Sequence, residues 1–131
     1  MFNLANFLLE GKGGPKDPRQ AIQLLTRAAE QGSAFAKYRL ATCYQQGEGV
    51  EQDYGRCVEL YAAAAEPGHG PSINNLGDKY ELGLGVPQDL QKAFELYPRA
   101  AEMDVIAAWY NLGCMYADGR GVPRNRDKAI L

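Results

Sequence analysis

The sequence predicts an all-α protein, an α/α superhelix (solenoid) of antiparallel helix pairs with a 36-residue period. Three observations predict it. Gly11, Gly47, Gly83 and Gly119 stand 36 residues apart with no insertion between them, and a fixed period of about 20–50 residues marks a repeat array. Each of these glycines follows a segment whose apolar residues recur at three- and four-residue steps, the period of one buried helix face. Each also opens a loop leading to Asp17, Asp53, Asp89 or Asn125. Asp and Asn cap helix N-termini because their side-chain oxygens accept a free amide of the first turn.

The loops read Gly47-Glu48-Gly49-Val50-Glu51-Gln52-Asp53, Gly83-Leu84-Gly85-Val86-Pro87-Gln88-Asp89 and Gly119-Arg120-Gly121-Val122-Pro123-Arg124-Asn125, with a weaker copy from Gly11 to Asp17. Glycine just past a helix suits the left-handed residue that closes it. Gly11, Gly47, Gly83 and Gly119 therefore read as helix ends, Gly49, Gly85 and Gly121 as loop glycines, and Asp53, Asp89 and Asn125 as caps. Each unit is helix A, loop, helix B. A phosphate cradle is excluded: no copy continues as Gly-x-Gly-x-x-Gly or ends in Gly-Lys-Ser/Thr, and no strand pattern precedes one.

Residues 1–131 make one domain. Unit 1 covers 1–32. Its helix A is truncated, because the stretch from Phe2 matches the stretch from Tyr38 one period later. Its helix B spans about 18–31, with Ala21, Ile22, Leu24, Leu25, Ala28 and Ala29 on one face. Unit 2 covers 33–68, with helix A over 33–46 and helix B over 53–66, ended by Pro67-Gly68. Unit 3 covers 69–103, with helix A over 71–82 and helix B over 90–103. Pro98 falls inside that helix B, deletes one backbone bond and crowds the carbonyl of Phe94, so a kink is expected there. Unit 4 covers 104–131, with helix A over 104–118 and a truncated helix B from 126. Read this way, the array is cut in mid-helix at both ends, as in a segment of a longer solenoid. Uncapped ends predict weak outer units and head-to-tail self-association.

Leu40, Leu76 and Leu112, with Tyr44, Tyr80 and Tyr116, are expected to build a continuous core, and Ala41, Gly77 and Gly113 are small where helices A and B meet. Fourteen basic against 16 acidic residues give a net charge of -2, which lacks the basic face that nucleic acid requires. No apolar run approaches the ~18 residues of a membrane span. Residues 1–10 lack the pattern of a signal peptide, and three cysteines do not form a disulfide framework. The compartment is left open, with a tilt to the cytoplasm. His69, the one histidine, sits in a Pro-Gly-His-Gly loop with no ligand partner at a metal spacing and reads as a solvated loop residue. No nucleophile motif is present, so no enzyme, no metal and no cofactor are expected. Cys43 and Cys57 approach across one helix pair and read as two reduced, packed thiols, with a local disulfide as the alternative.

The stretch from Ala107 to Asn125, with Lys128-Ala129, resembles a Sel1-like repeat. So does Leu76-Gly77-Asp78-Lys79-Tyr80-Glu81-Leu82-Gly83-Leu84-Gly85-Val86-Pro87-Gln88-Asp89, followed by Lys92-Ala93 and Ala100-Ala101. The period of 36 separates it from the related tetratricopeptide unit of about 34. The resemblance covers essentially the whole chain and implies a scaffold or adaptor that binds a protein or peptide partner. A structural or self-assembling segment of a larger protein is the alternative. One cysteine-rich, secreted branch of the family is linked to β-lactam binding. Its first stapling cysteine would stand where this chain has Ala29, Ala65 and Ala101, which disfavours that reading.

Two columns carry the candidate binding site. Phe2, Tyr38, Asn74 and Tyr110 are equivalent positions, and Asn6, Thr42, Asp78 and Cys114 lie four residues on, on the same helix face. In tetratricopeptide relatives this face lines the concave groove, so the resemblance implies partner binding there.

Overall fold

The computed structural model describes residues 17–120. Phe2, Asn6, Gly11, Gly121 and Asn125, and the truncated helices of units 1 and 4, lie outside the described residues. Among those described, six helices alternate with short turns and no strand occurs. They are α1 (Pro18–Glu30), α2 (Ala34–Gln46), α3 (Tyr54–Ala65), α4 (Gly70–Leu82), α5 (Leu90–Ala101) and α6 (Ile106–Asp118). Helices α2, α4 and α6 are the A helices; α1, α3 and α5 are the B helices. Each packs most closely on its neighbours in sequence.

The caps explain where each helix begins. Oδ1 of Asp17, Asp53 and Asp89 accepts from the amides of Gln20, Arg56 and Lys92 at 3.1, 3.1 and 3.0 Å, each cap contributing about 1 kcal/mol. Ser33 does the same for α2, through the Ala36 amide at 3.1 Å. The A helices end in one way. Gly47, Gly83 and Gly119 have φ of 71, 70 and 68°. The next amide reaches back five residues, as from Leu84 to the Lys79 carbonyl at 3.1 Å. This left-handed ending satisfies carbonyls that the helix leaves free.

The second glycine of the loop has another task. At Gly85, φ is 81° and an added Cβ would fall 2.3 Å from the Tyr54 carbonyl oxygen, in the first turn of α3. Gly49 meets Pro18 in the first turn of α1 the same way, at 2.6 Å. The loops of units 2 and 3 therefore rest directly on the preceding unit's helix B, and at Gly49 and Gly85 only a residue without a side chain fits. In the B-to-A turns the left-handed position is held by Gly32 and Gly68, then by Asp104 with φ 64°.

Three apolar clusters bridge the units. Ala21, Leu25 and Ala28 of α1 meet Ala36, Leu40 and Cys43 of α2. Cys57, Val58 and Tyr61 join Ile73, Leu76, Leu96, Ala100 and Ala108. Ala93 and Tyr97 meet Leu112 and Met115. The expected leucines are buried, but Tyr44, Tyr80 and Tyr116 are only partly so. Among the described residues, the fully buried aromatics are Tyr61 and Tyr97, which project from the B helices. The Tyr97 ring lies where a Cβ on Gly77 would stand, 2.9 Å away, so the small residue admits the large one. Helix α5 continues without a break over Pro98 to Ala101. The amide that the proline lacks is the one that would bond the Phe94 carbonyl, while the Pro98 carbonyl accepts from Glu102 at 3.0 Å.

Candidate functional site

The A helices stand side by side, and the two candidate columns run across them. Tyr38 is half-buried. Its ring packs against Phe35 at 5.8 Å between centroids, His69 at 5.1 Å and Tyr61 at 5.9 Å. Thr42 Oγ1 donates to the Tyr38 carbonyl at 3.1 Å and lies 3.0 Å from the Tyr61 hydroxyl. Asn74 is buried because the next unit covers it: its Oδ1 accepts from Asn111 Nδ2 at 3.1 Å. Asp78 keeps 40% of its side chain in solvent and pairs with Lys79 Nζ at 3.1 Å. Cys114 is half-buried. Tyr110 lies on α6, the last described helix, and 73% of its surface is exposed there. The face thus divides into inter-unit joints (Tyr38, Asn74), polar groups (Thr42, Asp78) and one open aromatic side chain (Tyr110).

Further residues belong to this neighbourhood and were not singled out by sequence reasoning. The Tyr97 hydroxyl donates to Glu81 Oε1 at 2.6 Å, and Arg120 Nε reaches Glu81 Oε2 at 3.3 Å. Burial and then this carboxylate hold the Tyr97 phenol far above its usual pKa. The Tyr61 phenol is pushed up to about 12, chiefly by burial and against the bond from Thr42. Lys79 is buried at a position where the other units have Cys43 and Met115. Its alkyl stem fills core space while the ammonium reaches the Asp78 carboxylate.

His69 corrects an expectation. It is not a solvated loop residue. It is the residue before α4, half-buried, with Nδ1 2.7 Å from Ser72 Oγ and its ring against Phe35 and Tyr38 of the preceding A helix. Burial lowers its pKa. Cys43 and Cys57 are free, buried thiols, each pushed up to about 11 by burial. Among the described residues, no three His, Cys, Asp or Glu side chains gather to hold a metal ion, and no helix is long and apolar enough to cross a membrane.

Antiparallel helix pairs, stacked in a constant register with loops seated on the preceding pair, define an α-solenoid of helical hairpin repeats. The particular repeat follows from comparison. The Sel1 repeat model matches residues 1–33, 34–69, 70–105 and 106–131, and the chain belongs to the Sel1 repeat family. The structure is similar to a protective antigen present in uropathogenic Escherichia coli strains, which displays an SLR fold. The TM-score is 0.93 at 34% identity, over 98% of this chain and 27% of that one. It is also similar to a Sel1 repeat protein from Oxalobacter formigenes, with TM-score 0.93, 31% identity, and coverage of 98% and 53%. The chain thus spans less than two thirds of either relative. Helicobacter pylori cysteine rich protein B shares the fold at TM-score 0.67 and 23% identity, over 70% of this chain and 69% of that one. No curated protein matches the chain. Sel1 repeats are commonly protein–protein interaction modules and generally non-enzymatic scaffolds.

Proposed function

We propose that this chain is a protein-binding module whose partner lies as an extended peptide segment along the A-helix face. The observation that carries the reading is the register of the A helices, which sets Tyr38, Asn74 and Tyr110, and four residues on Thr42, Asp78 and Cys114, along one face in successive units. Tyrosine is enriched among the residues that dominate binding energy. Asn75 and Asn111, both half-buried, bond Asn74 from either side, Asn75 Oδ1 accepting from Asn74 Nδ2 at 3.3 Å and Asn111 Nδ2 donating to Asn74 Oδ1 at 3.1 Å; an amide side chain carries both donor and acceptor, as a peptide main chain does. Thr42 and Asp78 add polar groups alongside. The partner reading needs no cofactor.

The test is a peptide-display selection against the full chain, followed by affinity measurement of the selected peptide. Tyr110→Ala is expected to weaken binding at least tenfold, the equivalent of about 1.4 kcal/mol, with unfolding unchanged. Glu59→Ala, at an exposed position of α3, is expected to leave affinity unaltered. Loss of binding in Glu59→Ala but not in Tyr110→Ala would place the partner on the other layer and overturn the proposal.

A further inference from the structure

We propose that His69 is an acid-operated latch between units 2 and 3: neutral, its ring closes an aromatic corner with Phe35 and Tyr38, and protonated, it releases them. The geometry carries this. The ring stands 5.6 Å from Phe35 and 5.1 Å from Tyr38, both on α2, while its own backbone immediately precedes α4. It therefore joins one A helix to the next. Below the corner lies the Tyr61 ring of α3, in contact with Tyr38. The backbone is tied on both sides of the ring, the His69 amide donating to the Ala64 carbonyl at 3.4 Å and its carbonyl accepting from Ile73 at 3.1 Å. Release is a side-chain rotation.

Charging the imidazole in place is opposed twice. Burial strips water from the ring. The ring also sits at the N-terminus of α4, where the aligned peptide dipoles present positive charge. One effect works the other way, since an imidazolium is attracted to aromatic faces. The groups that face the ring are Phe35 and the Tyr38 phenol from α2 and the Ser72 hydroxyl from α4; the Tyr61 phenol lies behind Tyr38. Burial is the one cause that moves the pKa, downward from 6.5, and no carboxylate among the described residues counters it. The sign follows. Well above pH 6.5 the ring is neutral in folded and unfolded chains and the latch contributes fully. As pH falls below 6.5 the unfolded chain takes up the proton first, so stability declines through that window until the folded pKa is passed.

Because the chain has a single histidine, its Cε1 proton can be followed by NMR without ambiguity in the full chain. The expected result is a titration midpoint below 6.5, with the ring resonances of Phe35 and Tyr38 shifting at the same midpoint. A midpoint at or above 6.5, or Phe35 and Tyr38 resonances that ignore it, would overturn the latch. A second measurement compares melting temperature at pH 7 and pH 5 for wild type and His69→Phe, which keeps an aromatic ring but no titrating group. The wild type should lose more on acidification than the variant. Equal losses would also overturn the proposal.

Discussion

Alanine at Gly85 and at Gly47 separates two costs that the loop glycines combine. Both residues are left-handed, with φ of 81 and 71°, and a side chain there costs about 1–2 kcal/mol from conformation alone. They differ in what an added methyl would meet. At Gly47 the nearest atoms are 3.5 Å away, in ordinary contact. At Gly85 the methyl would enter the Tyr54 carbonyl at 2.3 Å, with Val58 Cγ2 at 3.0 Å. Val58 can adjust, but the Tyr54 carbonyl is backbone in the first turn of α3, so relief requires the loop to lift off the helix. Overpacking of this kind adds about 1–3 kcal/mol. Gly47→Ala should therefore lose about 1–2 kcal/mol, and Gly85→Ala about 2–5 kcal/mol in total. Urea unfolding of both variants, with hydrogen exchange to locate the damage, is the assay. Gly85→Ala should lose protection at the start of α3 as well as in its own loop. Equal destabilisation by the two substitutions would refute the claim that the loop of unit 3 is seated on the unit before it.

Other consequences follow from single contacts. Asp104 holds a left-handed φ of 64° where the other units have glycine, so Asp104→Gly should raise stability by about 0.5 kcal/mol in thermal unfolding. Tyr61→Phe removes the hydroxyl beside Thr42 and should cost about 0.5–1.5 kcal/mol, measured by urea denaturation. At pH 8 a thiol reagent should modify Cys114 first, because burial keeps Cys43 and Cys57 protonated with pKa values of about 11. Mass spectrometry of the labelled peptides checks the order, and rapid labelling of Cys43 in folded protein would contradict the packing.

What repeats along the chain was legible in the sequence. The Asp caps, the left-handed glycines and the ends of the described helices, to within about two residues, are dictated by local chemistry that recurs in several copies. Contacts between units were not legible, because they depend on how one hairpin is set against the next. The second glycine was read as a loop residue, and its role as the seat on the previous helix B appears only with Tyr54 beside Gly85. Tyr44, Tyr80 and Tyr116 were expected in the continuous core, whereas Tyr61 and Tyr97 lie deepest among the described aromatics; the sequence puts Tyr61 on the apolar face of its helix B, and Tyr97 stands one period on, a signal that could have found it. His69 was placed in solvent because its neighbours in sequence are Gly68 and Gly70, yet its ring partners lie more than thirty residues away in α2. Of the candidate face, the columns were readable, but not that Asn74 is covered by Asn111 of the next unit.

The central claim is that the A-helix face receives the partner. The most direct test is amide chemical-shift mapping of the isotope-labelled chain titrated with a display-selected peptide. The account predicts shifts concentrated on α2, α4 and α6, around Thr42, Asn75, Asp78 and Tyr110, and their disappearance in Tyr110→Ala. Shifts confined to the exposed residues of α1, α3 and α5, such as Glu59 and Glu95, would contradict it.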